Sequence, residues 1–282
     1  MQSGQQITNA MTVDVEDYFH VSAFENQISP SEWSKCQPTV DYNTRRLLDI
    51  FSEQDVKATF FILGWVAEAF PQLIRDIHAQ GHEIASHGTN HRRATTMTQG
   101  ALRQDIEDSL NRLEALTGEK VIGYRAPSFS INKSNQWAFE LLVDLGLQYS
   151  SSTYPIAHDL YGTPDWPRFA HRRPEGILEI PIPTLRKNNK NTGIGGGGYF
   201  RLFPYWLSKK RIDNFISQEQ APYSFYFHPW EIDPSQPRVK GAKLLSQFRH
   251  YVNLSGMEKK IIRLSQDYLW STMKDVYGDL LK

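Results

Sequence analysis

The sequence predicts an α/β fold in which βα units surround a parallel sheet or barrel. Short β-rich runs alternate with segments of helical periodicity along most of the chain. The 282 residues suffice for a large domain with a substantial core. Asp14, His87, Arg125 and His228 each stand at or just after a strand-like run, which is where barrels of parallel strands collect their polar groups.

Residues 11–15 read as a strand, 44–52 as an amphipathic helix, and 57–63, the run KATFFIL, as a buried strand. Pro71 suits the first turn of a helix that ends at Gly81, and a short strand follows at 82–86. Thr98 reads as the N-cap of a long helix that carries Leu102, Ile106, Leu110, Leu113 and Leu116 on its core face before Gly118. Further strands are expected at 121–125, 147–151, 177–182 and 223–227, with helices at 134–145 and 204–218. Residues 153–175 form a loop rich in Pro, Tyr and Trp, and loops of that length in compact domains are usually functional. Residues 1–235 make up the main domain. Residues 236–282 are a helical C-terminal extension, with helices at 243–251 and 257–279, packed on that domain. The Lys259-Lys260 pair in it reads as a solvated basic face.

Lys plus Arg and Asp plus Glu each number 31, so the net charge shows no footprint of a nucleic-acid or anionic-membrane binder, and a neutral or lightly charged substrate suits this balance. The single cysteine, Cys36, can form no intramolecular disulfide and reads as a packed thiol near Trp33. Residues 1–10 lack a charged and then apolar leader, from which a cytoplasmic protein is expected. No apolar run approaches the roughly 18 residues of a membrane span.

The chemistry gathers in two short stretches. His87-Gly88-Thr89-Asn90-His91 holds two imidazoles at a spacing that can bring both to one cation, and it lacks the Glu of the HExxH pattern. The run TVDVED holds Asp14, Glu16 and Asp17, and strand alternation puts Asp14 and Glu16 on one face. Crowded carboxylates repel unless a cation or hydrogen bonds offset the cost. One carboxylate with two histidines is a common catalytic-zinc set, and the spare carboxylate can then act as base. The run from Gly193 to Gly198 formally satisfies GxGxxG, but no convincing strand precedes it, so it reads as backbone approaching a sugar or Tyr199-Phe200, or as a flexible loop. Tyr161, Trp166, Trp206 and Trp230 offer faces for sugar stacking or for packing, while His82, His158 and His171 read as ordinary structural histidines. There is no GxSxG nucleophile motif.

Taken in order, TVDVED, HGTNH, Arg125-Ala126-Pro127 and Phe227-His228-Pro229 resemble the motifs of the NodB-homology polysaccharide deacetylases, carbohydrate esterase family 4, over residues 7–235. VDVEDYF, YRAPSFSI, HDLYG, GGGGYFR and FYFHPWEID are similar to the subgroup associated with bacterial exopolysaccharide loci. The resemblance implies a distorted (β/α) barrel and a metal-dependent hydrolase that removes acetyl groups from N-acetylated sugar residues of a polysaccharide or oligosaccharide. It implies Asp14 as base, His87 and His91 as ligands of one divalent metal ion, Arg125 as the holder of the base, and His228 as general acid. The metal is zinc by default, with cobalt or nickel as alternatives. Alternation favours Glu16 as the third ligand, with Asp17 as the alternative if the strand end bulges. A backbone N–H near Ala126 is the expected oxyanion donor. The family's Asp-Trp element is only loosely echoed, by Asp159 or by Asp165-Trp166. The rival readings are a same-fold amidohydrolase acting on a small non-sugar amide and an inactive glycan-binding module.

Overall fold

The computed structural model describes residues 7–158 and 161–282. Among them, nine strands form one sheet: β1 (Thr8–Val15), β2 (Thr59–Ile62), β3 (Glu83–Ser86), β4 (Gly123–Tyr124), β5 (Tyr149–Ser150), β6 (His171–Arg172), β7 (Leu178–Glu179), β10 (Ser224–Phe227) and β11 (Leu269–Ser271). β8 (Thr184–Lys187) and β9 (Lys190–Gly193) make a separate antiparallel hairpin, which the sequence reading did not anticipate. The main path runs β10-β1-β2-β3-β4-β5-β7-β6 and is parallel throughout except at β6. The sheet curls into the distorted barrel expected from the sequence. β1 is buried from Asn9 to Val15, as a central strand of a covered parallel sheet requires, with Met11, Val13 and Val15 in the main core and Thr12 and Asp14 on the other face.

The helices are α1 (Val40–Glu53), α2 (Gly64–Ala69), α3 (Pro71–Ala79), α4 (Gln99–Thr117), α5 (Trp137–Asp144), α6 (Gly197–Leu202), α7 (Tyr205–Glu219), α8 (Leu244–Tyr251), α9 (Leu254–Asp267), α10 (Met273–Val276) and α11 (Gly278–Leu281). Pro71 takes the first turn of α3, where its missing N–H is not needed. Thr98 caps α4 by accepting from the Ala101 N–H, and Gly118 ends that helix in the left-handed region at φ 74°. Leu102, Ile106, Leu110 and Leu113 face the main core.

The C-terminal segment differs from its expected helical form. Residues 257–279 do not make one helix, because Leu269–Ser271 form β11 beside Thr8–Ala10 of β1. The Met273 N–H just beyond it donates to Thr59 Oγ1 at 2.7 Å. Met257, Ile261, Leu264 and Trp270 belong to the same core as β1 and β2. Lys260, read as solvated, instead donates to the carbonyls of Phe200, Arg201 and Phe203 at 2.7–3.0 Å and so caps the end of α6. The loop at 153–175 carries the short strand β6.

Glu179 of β7 is fully buried, and its Oε1 accepts from the Ser152 and Thr153 N–H groups and from Thr153 Oγ1 at 2.7–3.0 Å. Its Oε2 has no hydrogen-bond partner. Burial pushes this carboxyl up from 4.5 to about 7, despite the hydrogen bonds that oppose the shift. A carboxyl raised on folding contributes stability that is fully present below its unfolded value and is lost as pH rises through the folded one. Thermal melts should therefore show the wild type losing more stability than Glu179→Gln between about pH 5 and about pH 8. Parallel curves for the two proteins would refute this.

Candidate active site

The parallel strands deliver their polar residues to one end of the sheet. Asp14 lies near the end of β1 with Glu16 just beyond, His87 follows β3, Arg125 follows β4, Ser151 follows β5, and His228 follows β10. These are C-terminal strand ends, the usual location of active sites in barrels of this kind.

Arg125 is 0% exposed and fully engaged. Its Nη1 donates to Asp14 Oδ1 at 2.5 Å and to Thr12 Oγ1 at 2.9 Å, while Nη2 and Nε reach Ser151 Oγ and the Ser151 carbonyl at 3.1 and 3.3 Å. The guanidinium carbon lies 4.0 Å from the Phe61 ring centre. A buried pair of this kind cannot lose one partner cheaply, unlike a surface ion pair. The Arg125 carbonyl also meets His87 Nδ1 at 2.7 Å. Nδ1 must then carry the proton, which leaves the Nε2 lone pair for a cation.

Glu16, His87 and His91 offer ligand atoms within 4.8 Å of one another. Glu16 Oε2 and His91 Nε2 are 2.6 Å apart, yet Oε2 is buried and makes no oriented hydrogen bond. Two lone-pair atoms brought so close in a buried place suit a cation better than they suit each other. Burial pushes His87 down to about 4, so its imidazole is neutral at physiological pH. Burial alone would raise the Glu16 carboxyl, but His91, His228 and His87 together hold it well below the usual carboxylate range. One carboxylate and two imidazoles are a fitting donor set for a divalent ion.

Asp17 is not part of this group, which corrects the alternative left open by the sequence. Its oxygens accept from the N–H groups of Tyr18, Thr39 and Val40 and from Thr39 Oγ1 at 2.6–2.9 Å. The chain turns directly after Glu16, so the third carboxylate becomes a buried cap that ties β1 to the start of α1.

The loop of His87 and His91 is held from α4. Asp105 accepts from the Thr89 and Asn90 N–H groups and from the Asn90 side chain at 2.8–3.2 Å. Gly88 at φ 73° lies against that carboxylate, where a Cβ would come within 2.6 Å of Oδ2. His91 itself is left-handed at φ 49°, a strained conformation for a residue with a Cβ.

His228 lies across the cluster, with Nε2 3.1 Å from Glu16 Oε1 and Nδ1 2.8 Å from Glu231 Oε1. Arg201 Nε holds Glu231 Oε2 at 2.7 Å, and its other N–H groups donate to the carbonyls of Arg249, His250 and Val252. The His228 ring stacks on Trp230, which stacks in turn on His250. Burial works against the His228 cation, but Glu16 and Glu231 raise its pKa to about 9. Asp14 acts electrostatically on both His87 and His228.

The glycine run serves this arrangement. A Cβ on Gly197 would come within 2.3–2.4 Å of both Glu231 carboxylate oxygens, and one on Gly193 or Gly196 would strike Tyr154 or Tyr226. Gly193, Gly196 and Gly197 give way to packed side chains of the protein.

Other sequence candidates lie elsewhere. The Ala126 N–H donates to Ser152 Oγ at 2.9 Å. Asp165 is exposed beside Lys133, Trp166 packs on Phe139 and Arg173, and Asp159 lies outside the described residues. His82 Nδ1 accepts from the Ala58 N–H in the core, and His171 Nδ1 meets the Phe169 carbonyl. His158 and Tyr161 stack on each other. Trp206 is exposed on α7. Cys36 packs beside the Trp33 cluster. The sequence reading gave no role to Asp105, Arg201 or Glu231. Asp105 could have been found as a charge next to Ile106 on the buried face of α4. Arg201 and Glu231 stand within the runs GGGGYFR and FYFHPWEID, but nothing local to either run shows that the two side chains pair across 30 residues.

Residues 37–150 match the polysaccharide deacetylase family, and residues 151–278 match a domain of unknown function, DUF3473. The first stretch holds His87, His91 and Arg125, and the second holds Arg201, His228 and Glu231. A peptidoglycan deacetylase of Helicobacter pylori is 27% identical over 132 residues, 47% of this chain and 44% of that protein. A chitooligosaccharide deacetylase of Sinorhizobium fredii is 50% identical over 48 residues, 17% of this chain and 22% of that protein. The chain spans less than half the length of these curated relatives. The fold is also that of a Mycobacterium smegmatis protein named as a candidate polysaccharide deacetylase, with a TM-score of 0.64 at 18% identity, covering 99% of this chain and 91% of that one.

The geometry separates the two carboxylates of the first motif. Glu16→Gln should bind markedly less metal, whereas Asp17→Asn should keep its metal and lose about 1–2 kcal/mol of stability, as for other lost caps. Metal content by mass spectrometry and thermal melts decide between them, and a metal-free Asp17→Asn would overturn the assignment. Gly197→Ala should displace Glu231 and lower turnover about 10-fold or more, since misplacing a group by about 1 Å can cost up to about 10²-fold. A fully active Gly197→Ala would show that Glu231 does not support His228.

Proposed function

We propose that this chain, whose residues 37–150 match the polysaccharide deacetylase family and whose motifs resemble the NodB-homology type, carbohydrate esterase family 4, removes N-linked acetyl groups from N-acetylated sugar residues with the help of one divalent metal ion. The observation that carries the reading is the buried Glu16, His87 and His91 group, with His228 against Glu16 and the Arg125-held Asp14 acting electrostatically on His87. Zinc suits the donors best, with cobalt or nickel as alternatives. When bound, the ion supplies Lewis-acid polarisation of the acetamide carbonyl and eases loss of a proton from water.

The protein's own groups do the rest. Arg125 fixes Oδ1 of Asp14, which leaves Oδ2 to accept the proton of the attacking water. Glu231 takes the Nδ1 hydrogen bond of His228, so that Nε2 is the position from which a proton reaches the leaving amine. Such a division suits an amide, whose amine leaves poorly unless protonated. The balance of 31 basic and 31 acidic residues is consistent with an uncharged glycan. The motifs shared with the exopolysaccharide-associated subgroup support a polymer of that class as the substrate.

Acetate release from N-acetylglucosamine oligomers, an exopolysaccharide and small cyclic and linear amides tests the reading. Release from the glycans alone supports it, release from small amides alone favours the amidohydrolase reading, and binding without release favours an inactive glycan binder. Asp14→Asn should keep its metal and lose nearly all turnover. His228→Ala should lose about 10²- to 10⁴-fold on the amide and recover in part on an activated acetyl ester. Equal loss of the His228 variant on amide and ester would remove its role as acid.

A further inference from the structure

α8 is built the wrong way round for a helix that only packs on a core. Leu244, Leu245 and Phe248 are 84%, 58% and 56% exposed, while His250 is buried. At about 100° per residue the three apolar side chains fall within an arc of about 100°, and His250 points nearly opposite. The helix cannot roll to hide them. His250 Nε2 meets Gln236 Oε1 at 2.7 Å, its ring stacks on Trp230 at 4.1 Å, and Arg201 binds the Arg249 and His250 carbonyls from below.

Along this segment of the chain the charge is of one sign. Between Asp233 and Glu258 there is no acidic residue, whereas Arg238, Lys240, Lys243 and Arg249 are all present and exposed. A chain that is neutral overall thus places an apolar stripe in a basic segment. An apolar stripe rimmed by Lys and Arg is the pattern of a helix that lies in the interface of an anionic bilayer, with its apolar side chains at the acyl boundary and its cations at the headgroups. We propose that α8, with Lys240 and Lys243, is a docking surface for an anionic membrane. Among the described residues no helix is long and apolar enough to cross a membrane, so the contact is peripheral. It is independent of the deacetylase reading.

Co-sedimentation of the full chain with vesicles tests this. The wild type should bind vesicles of phosphatidylcholine and phosphatidylglycerol, bind phosphatidylcholine alone far less, and release as salt rises. Lys240→Gln and Lys243→Gln should each weaken binding about fivefold. Leu244→Ser with Phe248→Ser should abolish it with the charges kept and, because both sites are exposed, with an unchanged thermal melt. Failure to bind anionic vesicles, or equal binding by the double serine variant, overturns the proposal. So does a concentration-dependent dimer in velocity sedimentation that the double variant abolishes, since a second copy would then cover the stripe.

Discussion

The site depends on the burial of Arg125. A guanidinium with no exposure needs partners for its nitrogens, and each of the three here donates, to Thr12 and Asp14 on β1, which β2 and β3 separate from β4, and to Ser151 just after the adjoining β5. Its backbone carbonyl meanwhile selects the His87 tautomer. One residue therefore orients the carboxylate read as a base and a histidine read as a ligand. If the pair with Asp14 is broken, a buried charge is left without compensation, and the strand ends have no reason to keep their spacing.

A second assembly stands against the first. His228, Glu231 and Arg201 form a line of alternating character that ends in three backbone carbonyls, and Gly197 makes room for its middle member. The two assemblies meet at Glu16, whose two oxygens face His91 and His228. This sets the candidate metal donor directly against His228, one of the two groups assigned to proton transfer. The match to the polysaccharide deacetylase family stops at residue 150, so the His228 assembly belongs entirely to the stretch matching DUF3473.

Much of this was legible in the sequence, for reasons that can be named. The strand-like run before Asp14, the imidazole pair at His87 and His91, and the caps at Pro71, Thr98 and Gly118 are local signals, fixed by periodicity and backbone geometry over a few residues. The choice between Glu16 and Asp17 was only half legible. Alternation favours Glu16, but what removes Asp17 is a set of N–H groups around Thr39 that only the tertiary fold brings near. The packing of the glycine run was not legible because its neighbours, Tyr154, Tyr226 and Glu231, are distant in sequence. The β8–β9 hairpin was obscured by the charged KNNK turn, and β11 by its short length inside a helical pattern.

The position of β11 has a consequence for the order in which the molecule can form. β1 bears Asp14, yet among its neighbours only β2 is close in the chain, whereas β10 and β11 lie more than 200 residues away. During synthesis the strand that carries the central carboxylate waits beside an open edge until more than 200 further residues have appeared. Loop-closure entropy makes such late, distant pairings slow, and an unpaired central strand is a place where chains associate wrongly. The acidic residues at its end, which serve the site in the finished fold, also place like charges on that strand while it waits, and so oppose its pairing with a second copy.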